Sequence, residues 1–215
     1  MGSASSEAEP IVVCITRLLL RSDRPLRASV VPMELIEQPV LDATPYYLRP
    51  FSLEDIPLIK QASSNPYITK ITTVPLQCDH QQCLEFIYRQ WSRTTDGTGY
   101  SFAIADSTTH RAVGQIGLWF RDARHGRASI GYWVGPEHRR QGIAACALNT
   151  LADWALGYPG IHRVELYVEP WNEGSWRVAE PCGFQREGLL RGWELIGNEP
   201  KDLYMYSRIA ERAQD

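Results

Sequence analysis

The sequence predicts an α/β fold, and three observations carry that expectation: an antiparallel strand pair, a strand-helix-strand crossover behind it, and the composition of one globular domain. Residues 100–105 and 112–120 are β-periodic runs flanking a polar turn through Ser107 and His110. Residues 127–134, a helix at 141–156 and the run 163–168, in which Val164, Leu166 and Val168 alternate with polar residues, read as a β-α-β unit. With 44% hydrophobic and 22% charged residues and seven Trp in 215, the chain has the material for one core. Collagen-like, coiled-coil and wholly disordered readings fall away.

The remaining elements follow in order. Residues 1–43 begin Gly/Ser/Ala/Glu-rich, continue through Pro25, Pro32 and Pro39 without sustained period, and read as an N-terminal extension, an arm or a partly vector-derived segment, with Met33 an alternative start. The domain then occupies 44–215. Residues 46–50 read as a short strand, and Ser52-Leu53-Glu54-Asp55 as the capped start of a helix reaching Ser64. Cys83, Phe86, Ile87 and Gln90/Trp91 fall at helical spacing within 79–93. In the crossover helix, Leu148, Leu151, Ala152 and Ala155 form the apolar stripe, and the Gly157 to Gly160 segment ends it. A short helix at 174–181 and strands at 184–190 and 202–209 complete the expectation.

Twenty-two basic against 25 acidic residues give a net charge of −3, without the basic footprint of a duplex-binding protein. No nucleic-acid partner is expected. The apolar stretch 11–20 contains Arg17, follows Glu7 and Glu9, and is too short to span a bilayer, so neither export nor a membrane partner is expected and the cytoplasm is the default compartment. Cys14, Cys78, Cys83, Cys146 and Cys182 are scattered and read as free thiols, with pairing of Cys78 and Cys83 the alternative. His80, His110, His125, His138 and His162 lack metal-ligand spacing, so no metal is expected. A Gly-x-Ser-x-Gly elbow is absent, which disfavours a hydrolase.

The densest chemical signal is Gly135-Pro136-Glu137-His138-Arg139-Arg140-Gln141-Gly142-Ile143-Ala144, a basic, glycine-containing strand-to-helix junction. The first amides of a helix lack internal partners and its dipole favours negative charge, so such a junction suits a pyrophosphate. Arg139 and Arg140 either add charge-assisted bonds there or are simply solvated. The spacing lacks Gly-Lys-Ser/Thr and Gly-x-Gly-x-x-Gly, so it is neither a P-loop nor a dinucleotide fingerprint. It resembles the Gln/Arg-x-x-Gly-x-Gly/Ala acyl-CoA motif of the GNAT N-acetyltransferase superfamily. Asn172-x-x-Ser175, Gly183-Phe184 and Glu187-Gly188-x-x-Arg191 follow in the order of the Rim-type branch of ribosomal-protein amino-terminal acetyltransferases, a likeness covering about 46–209.

That resemblance implies a mixed, twisted and splayed sheet flanked by helices. Acetyl-CoA is the implied co-substrate, lying where strands 127–134 and 163–168 part. Tyr132, Trp133 and Val134 then supply the strand edge, and amides around Arg140, Gln141, Gly142, Ile143 and Ala144 the pyrophosphate cradle. Asn172 and Ser175, three apart, are implied cofactor contacts, with helix capping the alternative for each. Many family members carry a Tyr acid in the segment before Gly-Phe. Ala179 stands at that position here, leaving Ser175 as the candidate acid. Glu165, beside the implied cleft, and Glu194, in a segment that borders substrate in this branch, are the candidate bases, with water or an ion-pair role as the alternatives. Trp91, Trp119 and Phe120 line the acceptor pocket or pack in the core.

The implied reaction is direct acetyl transfer to a primary amine, a protein or peptide amino terminus. A small-molecule amine such as a polyamine, amino acid or aminoglycoside, and an inactive acyl-CoA-binding sensor or scaffold, are the alternatives. A homodimer assembled through residues 1–43 is a further one.

Overall fold

A computed structural model describes residues 37–211. Most of the expected extension, including Cys14, Met33 and the stretch 11–20, lies outside the described residues.

The elements run β1 (Leu41–Ala43), β2 (Tyr46–Arg49), α1 (Ile56–Ser63), α2 (Pro66–Ile71), α3 (His80–Thr95), β3 (Gly99–Asp106), β4 (Ala112–Trp119), β5 (Arg127–Val134), α4 (Ile143–Leu156), β6 (Arg163–Val168), α5 (Glu173–Ala179), β7 (Gln185–Ile196) and β8 (Glu199–Ile209). They build one eight-stranded sheet in the order β1-β2-β3-β4-β5-β6-β8-β7. Every neighbouring pair is antiparallel except β5–β6, which α4 joins as the expected crossover. The sheet is therefore mixed.

Strand alternation splits the core into two layers. Ile116 and Leu118, Ile130, Tyr132 and Val134, and Val164, Leu166 and Val168 face the α4 side, where Ala147, Leu148, Leu151, Ala152 and Ala155 cover them. Trp133 and Ala103 face the other side, under the apolar stripes of α1, α2 and α3. In that second layer the Cys78 and Cys83 sulfurs lie 2.8 Å apart as buried free thiols, and burial, then Cys78, pushes the Cys83 thiol up to about 12.

Several boundaries differ from expectation for identifiable reasons. Leu41–Ala43 pair with Ala43↔Tyr46 at the turn, so the sheet begins three residues before residue 44. The first helix ends at Ser63, and α2 restarts because the Asn65 side chain accepts from the Tyr67 and Ile68 amides ahead of Pro66. The crossover helix starts at Ile143, since Arg140 and Gly142 adopt positive φ, 62° and 76°. The last two strands are longer than expected: Gly197 and Asn198, at φ 60° and 71°, form the two-residue turn that lets β7 and β8 pair out to Ile196↔Glu199.

A buried polar chain docks α3 on the sheet. Trp133 Nε1 donates to Gln115 Oε1 at 2.6 Å, Gln115 Nε2 donates to Ser101 Oγ at 2.9 Å and Gln90 Oε1 at 3.4 Å, and Gln90 Nε2 donates to the Phe86 carbonyl at 2.9 Å. Replacing Gln115 by Leu leaves the Trp133 N–H buried without an acceptor, a cost of about 1–3 kcal/mol. The expected outcome in urea is a lower unfolding midpoint with an unchanged slope; an unchanged midpoint would contradict the role given to this chain of bonds.

Candidate active site

The parallel ladder between β5 and β6 has three pairs, Arg127↔Arg163, Ala128↔Val164 and Ser129↔Glu165. Beyond that row β5 continues to Val134 along β4, and β6 continues to Val168 along β8, so the two strands part while each keeps its other neighbour. The sheet has the expected splay, between the expected strands.

At the mouth of the splay the chain turns from Val134 through Gly135 into α4. The first hydrogen bond within the helix runs from the Cys146 amide to the Gly142 carbonyl, so the Ile143, Ala144 and Ala145 amides precede the helical ladder. A Cβ built on Gly142 meets nothing within 4 Å, and the left-handed backbone there opens an uncluttered cradle over those amides. Ile143 and Ala144 are buried against the α4-side core, which fixes the helix start. Arg140 is exposed beside it. Arg139 folds back, its Nε donating to the Val134 carbonyl at 3.4 Å, and Gln141 Nε2 reaches the Glu137 carbonyl at 3.5 Å. An open cradle of helix-start amides with an adjacent arginine fits a pyrophosphate.

Tyr132, Trp133 and Val134 lie on the part of β5 beyond the last parallel pair, and their side chains alternate. Tyr132 and Val134 pack toward α4, whereas Trp133 is anchored on Gln115 across the sheet. The Tyr132 hydroxyl donates to the Ser175 carbonyl at 3.0 Å, a bond from β5 to the first turn of α5. Asn172 and Ser175 are both fully buried, and the Ser175 amide donates to the Asn172 carbonyl at 3.0 Å. The Asn172 side chain makes no capping hydrogen bond to α5. Ala179 is buried in the α4-side core.

On the opposite face, the row Trp119, Ser129, Glu165 and Ser207 crosses four strands. Gly117 and Gly131, paired with each other, form the next step beyond it, and the Trp119 indole lies over Gly117, where a Cβ would come within 2.4 Å of the ring. Ser129 and Tyr167 are only half-buried although they sit mid-sheet, so this part of the face is open. Arg93 on α3 borders it through its contact with the Trp119 ring, and Trp193 on β7 borders it by stacking on Tyr167 at 6.0 Å. Of the aromatics expected at an acceptor pocket, Trp119 is on this floor, Phe120 is in the α4-side core, and Trp91 Nε1 is tied to the Phe51 carbonyl at 2.7 Å.

Glu165 is 2% exposed and accepts from Arg163 Nε at 2.6 Å, Arg127 Nη1 at 3.5 Å and the Tyr167 hydroxyl at 2.8 Å. Burial, then the bond to Glu165, raises the Tyr167 pKa. Glu194 lies half-exposed on β7, close enough to Arg121 for their charges to attract. Glu165 and Glu194 are thus brought to the same face, whereas Ser175 lies on α5 and hydrogen-bonds toward β5. Sequence reading missed the Tyr132 hydroxyl, Tyr167, and Arg93 with Arg121; the register between β5 and β6 sets Tyr132 and Tyr167 on opposite faces, and only tertiary packing brings Arg93 over Trp119.

Residues 46–185, more than half of the chain, match the acetyltransferase (GNAT) domain family, and the protein belongs to that family. It is 32% identical over 162 residues, 75% of this chain and 91% of the relative, to the "Uncharacterized N-acetyltransferase p20" of Bacillus licheniformis. Over 84 residues, 39% of this chain and 47% of the relative, it is 32% identical to the ribosomal-protein-serine acetyltransferase of Escherichia coli (strain K12). Among solved structures, the fold resembles the ribosomal L7/L12 alpha-N-protein acetyltransferase RimL in complex with coenzyme A (TM-score 0.67, 19% identity, 80% of this chain and 98% of that one). It also resembles the microcin C7 self-immunity acetyltransferase MccE in complex with acetyl-CoA and AMP (TM-score 0.69, 22% identity, 77% and 93%). Among the described residues no group of three or more His, Cys, Asp or Glu is placed to hold a metal ion, and no helix is long and apolar enough to cross a membrane.

The ion pairs behind the floor carry a pH signature. Arg163 Nη1 and Nη2 donate to Glu187 at 2.7 and 2.6 Å, and Ser207 Oγ donates at 2.5 Å. Arg163 first, then Ser207, holds the Glu187 carboxyl down at about 2, against its ordinary 4.5. A carboxylate depressed on folding stabilises above its unfolded pKa, and that contribution is lost as pH falls through the folded one. Between pH 4.5 and about 2 the thermal midpoint of the unmodified protein is therefore expected to fall more steeply than that of Glu187→Gln. Parallel curves in thermal scans would remove Glu187 from the acid response.

Proposed function

We propose that the protein transfers acetyl from acetyl-CoA directly to a primary amine, with a protein or peptide amino terminus as acceptor. The observation that carries this reading is the end of the β5–β6 ladder at Ser129↔Glu165, with the open Gly142 cradle at its mouth. The ribosomal-protein-serine acetyltransferase among the relatives supports the choice of acceptor.

In this reading the Gly142, Ile143 and Ala144 amides hold the pyrophosphate, Arg140 adds charge from outside, and Arg139 braces the end of β5. The main chain of Tyr132, Trp133 and Val134 offers the edge for the pantetheine arm, and Asn172, buried at the start of α5, is assigned as a contact to the same arm. Bound acetyl-CoA supplies an activated acetyl thioester. As the C–S bond breaks, Ser175 hydrogen-bonds the departing sulfur or passes it a proton that solvent replaces, the role that a Tyr at the position of Ala179 fills in many family members. Glu165 has its oxygens engaged by two arginines and a tyrosine, so it fixes the floor electrostatically rather than collecting a proton. Glu194, half-exposed at the rim, takes the amine proton through water. Placement of the amine on the glycine floor supplies the orientation that direct transfer needs.

Calorimetric titration with acetyl-CoA, followed by free-thiol detection with an amine and peptide panel, tests the proposal. Saturable binding and amine-dependent thiol release are expected; binding with no release across the panel would instead leave an acyl-CoA-binding sensor. Gly142→Glu fills the cradle with a negative side chain and is expected to weaken acetyl-CoA binding by tenfold or more, roughly the loss of one charge-assisted contact. A folded variant with normal affinity would overturn the cradle assignment. Ser175→Ala is expected to lower kcat more than acetyl-CoA affinity, and normal turnover would return Ser175 to a packing role.

A further inference from the structure

Arg93, in the last turn of α3, stands over the Trp119 ring with its Cζ 5.7 Å from the centroid, and its Nε donates to Gln90 Oε1 at 3.1 Å. Gln90 belongs to the buried chain that docks α3, so the guanidinium is held in place from behind. It is half-buried, yet neither Arg93 nor its neighbour Arg89 takes part in an ion pair among the described residues. Arg89 instead donates to the Thr73 carbonyl at 3.3 Å and sits over the Phe86 ring. The charge facing Arg93 from the β4–β5 connection is Arg121, and burial together with Arg121 and Arg89 lowers the Arg93 pKa. Asp122, next in sequence to Arg121, pairs with Arg127 at 3.5 Å, and Glu194 attracts Arg121 from β7.

A partly desolvated guanidinium among like charges is costly unless an anion completes it, and its planar donor fork matches carboxylate and phosphate oxygens. The position of this one matters for the transfer reaction. Trp119 pairs with Ser129, and Ser129 with Glu165, in the last row before the splay. At a strand spacing of roughly 5 Å, the Trp119 end of that row lies roughly 5–10 Å from the gap between β5 and β6. An extended peptide advances roughly 3.3 Å per residue, so a chain whose amino terminus reaches the gap presents its second or third residue to Arg93.

We infer that the acceptor carries an anionic group, a carboxylate or a phosphate, within two or three residues of its amine, and that Arg93 reads it. The inference rests on the acetyl-transfer reading and adds to it the chemical class of the acceptor. Trp119 has a double part: its ring carries the Arg93 contact and covers Gly117, so the anion site and the acceptor floor share one side chain.

The test uses the full chain, acetyl-CoA and a set of hexapeptides with free amino termini, identical except for Ala, Asp, phosphoserine or Lys at positions two and three. Thiol release gives kcat and KM for each. The Asp or phosphoserine peptides are expected to show a KM at least about tenfold below that of the Ala peptide, the scale of one hydrogen bond to a charged group, and the Lys peptide a higher one. Comparing the Asp and phosphoserine arms tells a carboxylate source from a phosphate source. In Arg93→Gln the KM ratio between neutral and acidic peptides is expected to collapse toward one, chiefly through KM and not kcat, and added salt should erode the same ratio in the unmodified protein. Arg121→Gln, on an exposed loop, gives a partial collapse and serves if Arg93→Gln fails to fold. Equal use of neutral and acidic peptides would overturn the anion inference while leaving acetyl transfer standing. Acetyl-CoA binding without thiol release from any peptide or amine would overturn the transfer reading, and this inference with it.

Discussion

The fold is organised around one buried carboxylate. Glu165 stands at the last paired row of the parallel ladder, and a charge so far from water persists only when its oxygens are engaged. Arg127 reaches it from β5 and Arg163 and Tyr167 reach it along β6, while Arg163 also grips Glu187 on β7 and Ser207 on β8 closes on the same glutamate. Four strands are thereby pinned at one level. Past that level β5 and β6 share no ladder pair, while each keeps its pairing with the neighbour on its other side. The sheet thus opens where the ion pairs stop.

Two faces of the same sheet then acquire different work. Apolar residues of β4, β5 and β6 on one face are sealed by α4, which fixes the start of that helix beside the opening. On the other face α3 is docked by the Gln90–Gln115–Trp133 bonds, and the floor between it and β7 is left to Gly117, Gly131, Ser129 and the Trp119 ring. Paired glycines there keep the floor flat. In the proposed reading, the cofactor mouth and the acceptor floor meet at the end of the ladder.

Much of this was legible in the sequence. The strand period, the crossover helix and the Gly142 junction each rest on local chemistry, whereas the place of the splay was implied by the family resemblance. What was not legible depends on partners distant in sequence. Nothing near Arg93 announces Trp119, and nothing near Tyr132 announces the Ser175 carbonyl. Glu165 was visible as an acidic residue on a strand, but its environment was not, because Arg127 lies across the sheet and Tyr167 gains its meaning only from facing the same side. The two missed turns had local signals after all: Asn65-Pro66 is a helix start, and Gly197-Asn198 is a tight hairpin.

In the proposed function, β5 beyond Ser129 and the amides opening α4 together form the acetyl-CoA surface. Amide hydrogen exchange with and without saturating acetyl-CoA tests it most directly, since it reads each backbone segment independently of turnover. Slowed exchange is expected to concentrate in residues 130–134 and 141–146, with little change in the β1–β2 pair. Saturable binding with protection elsewhere, and none in those two segments, would contradict it.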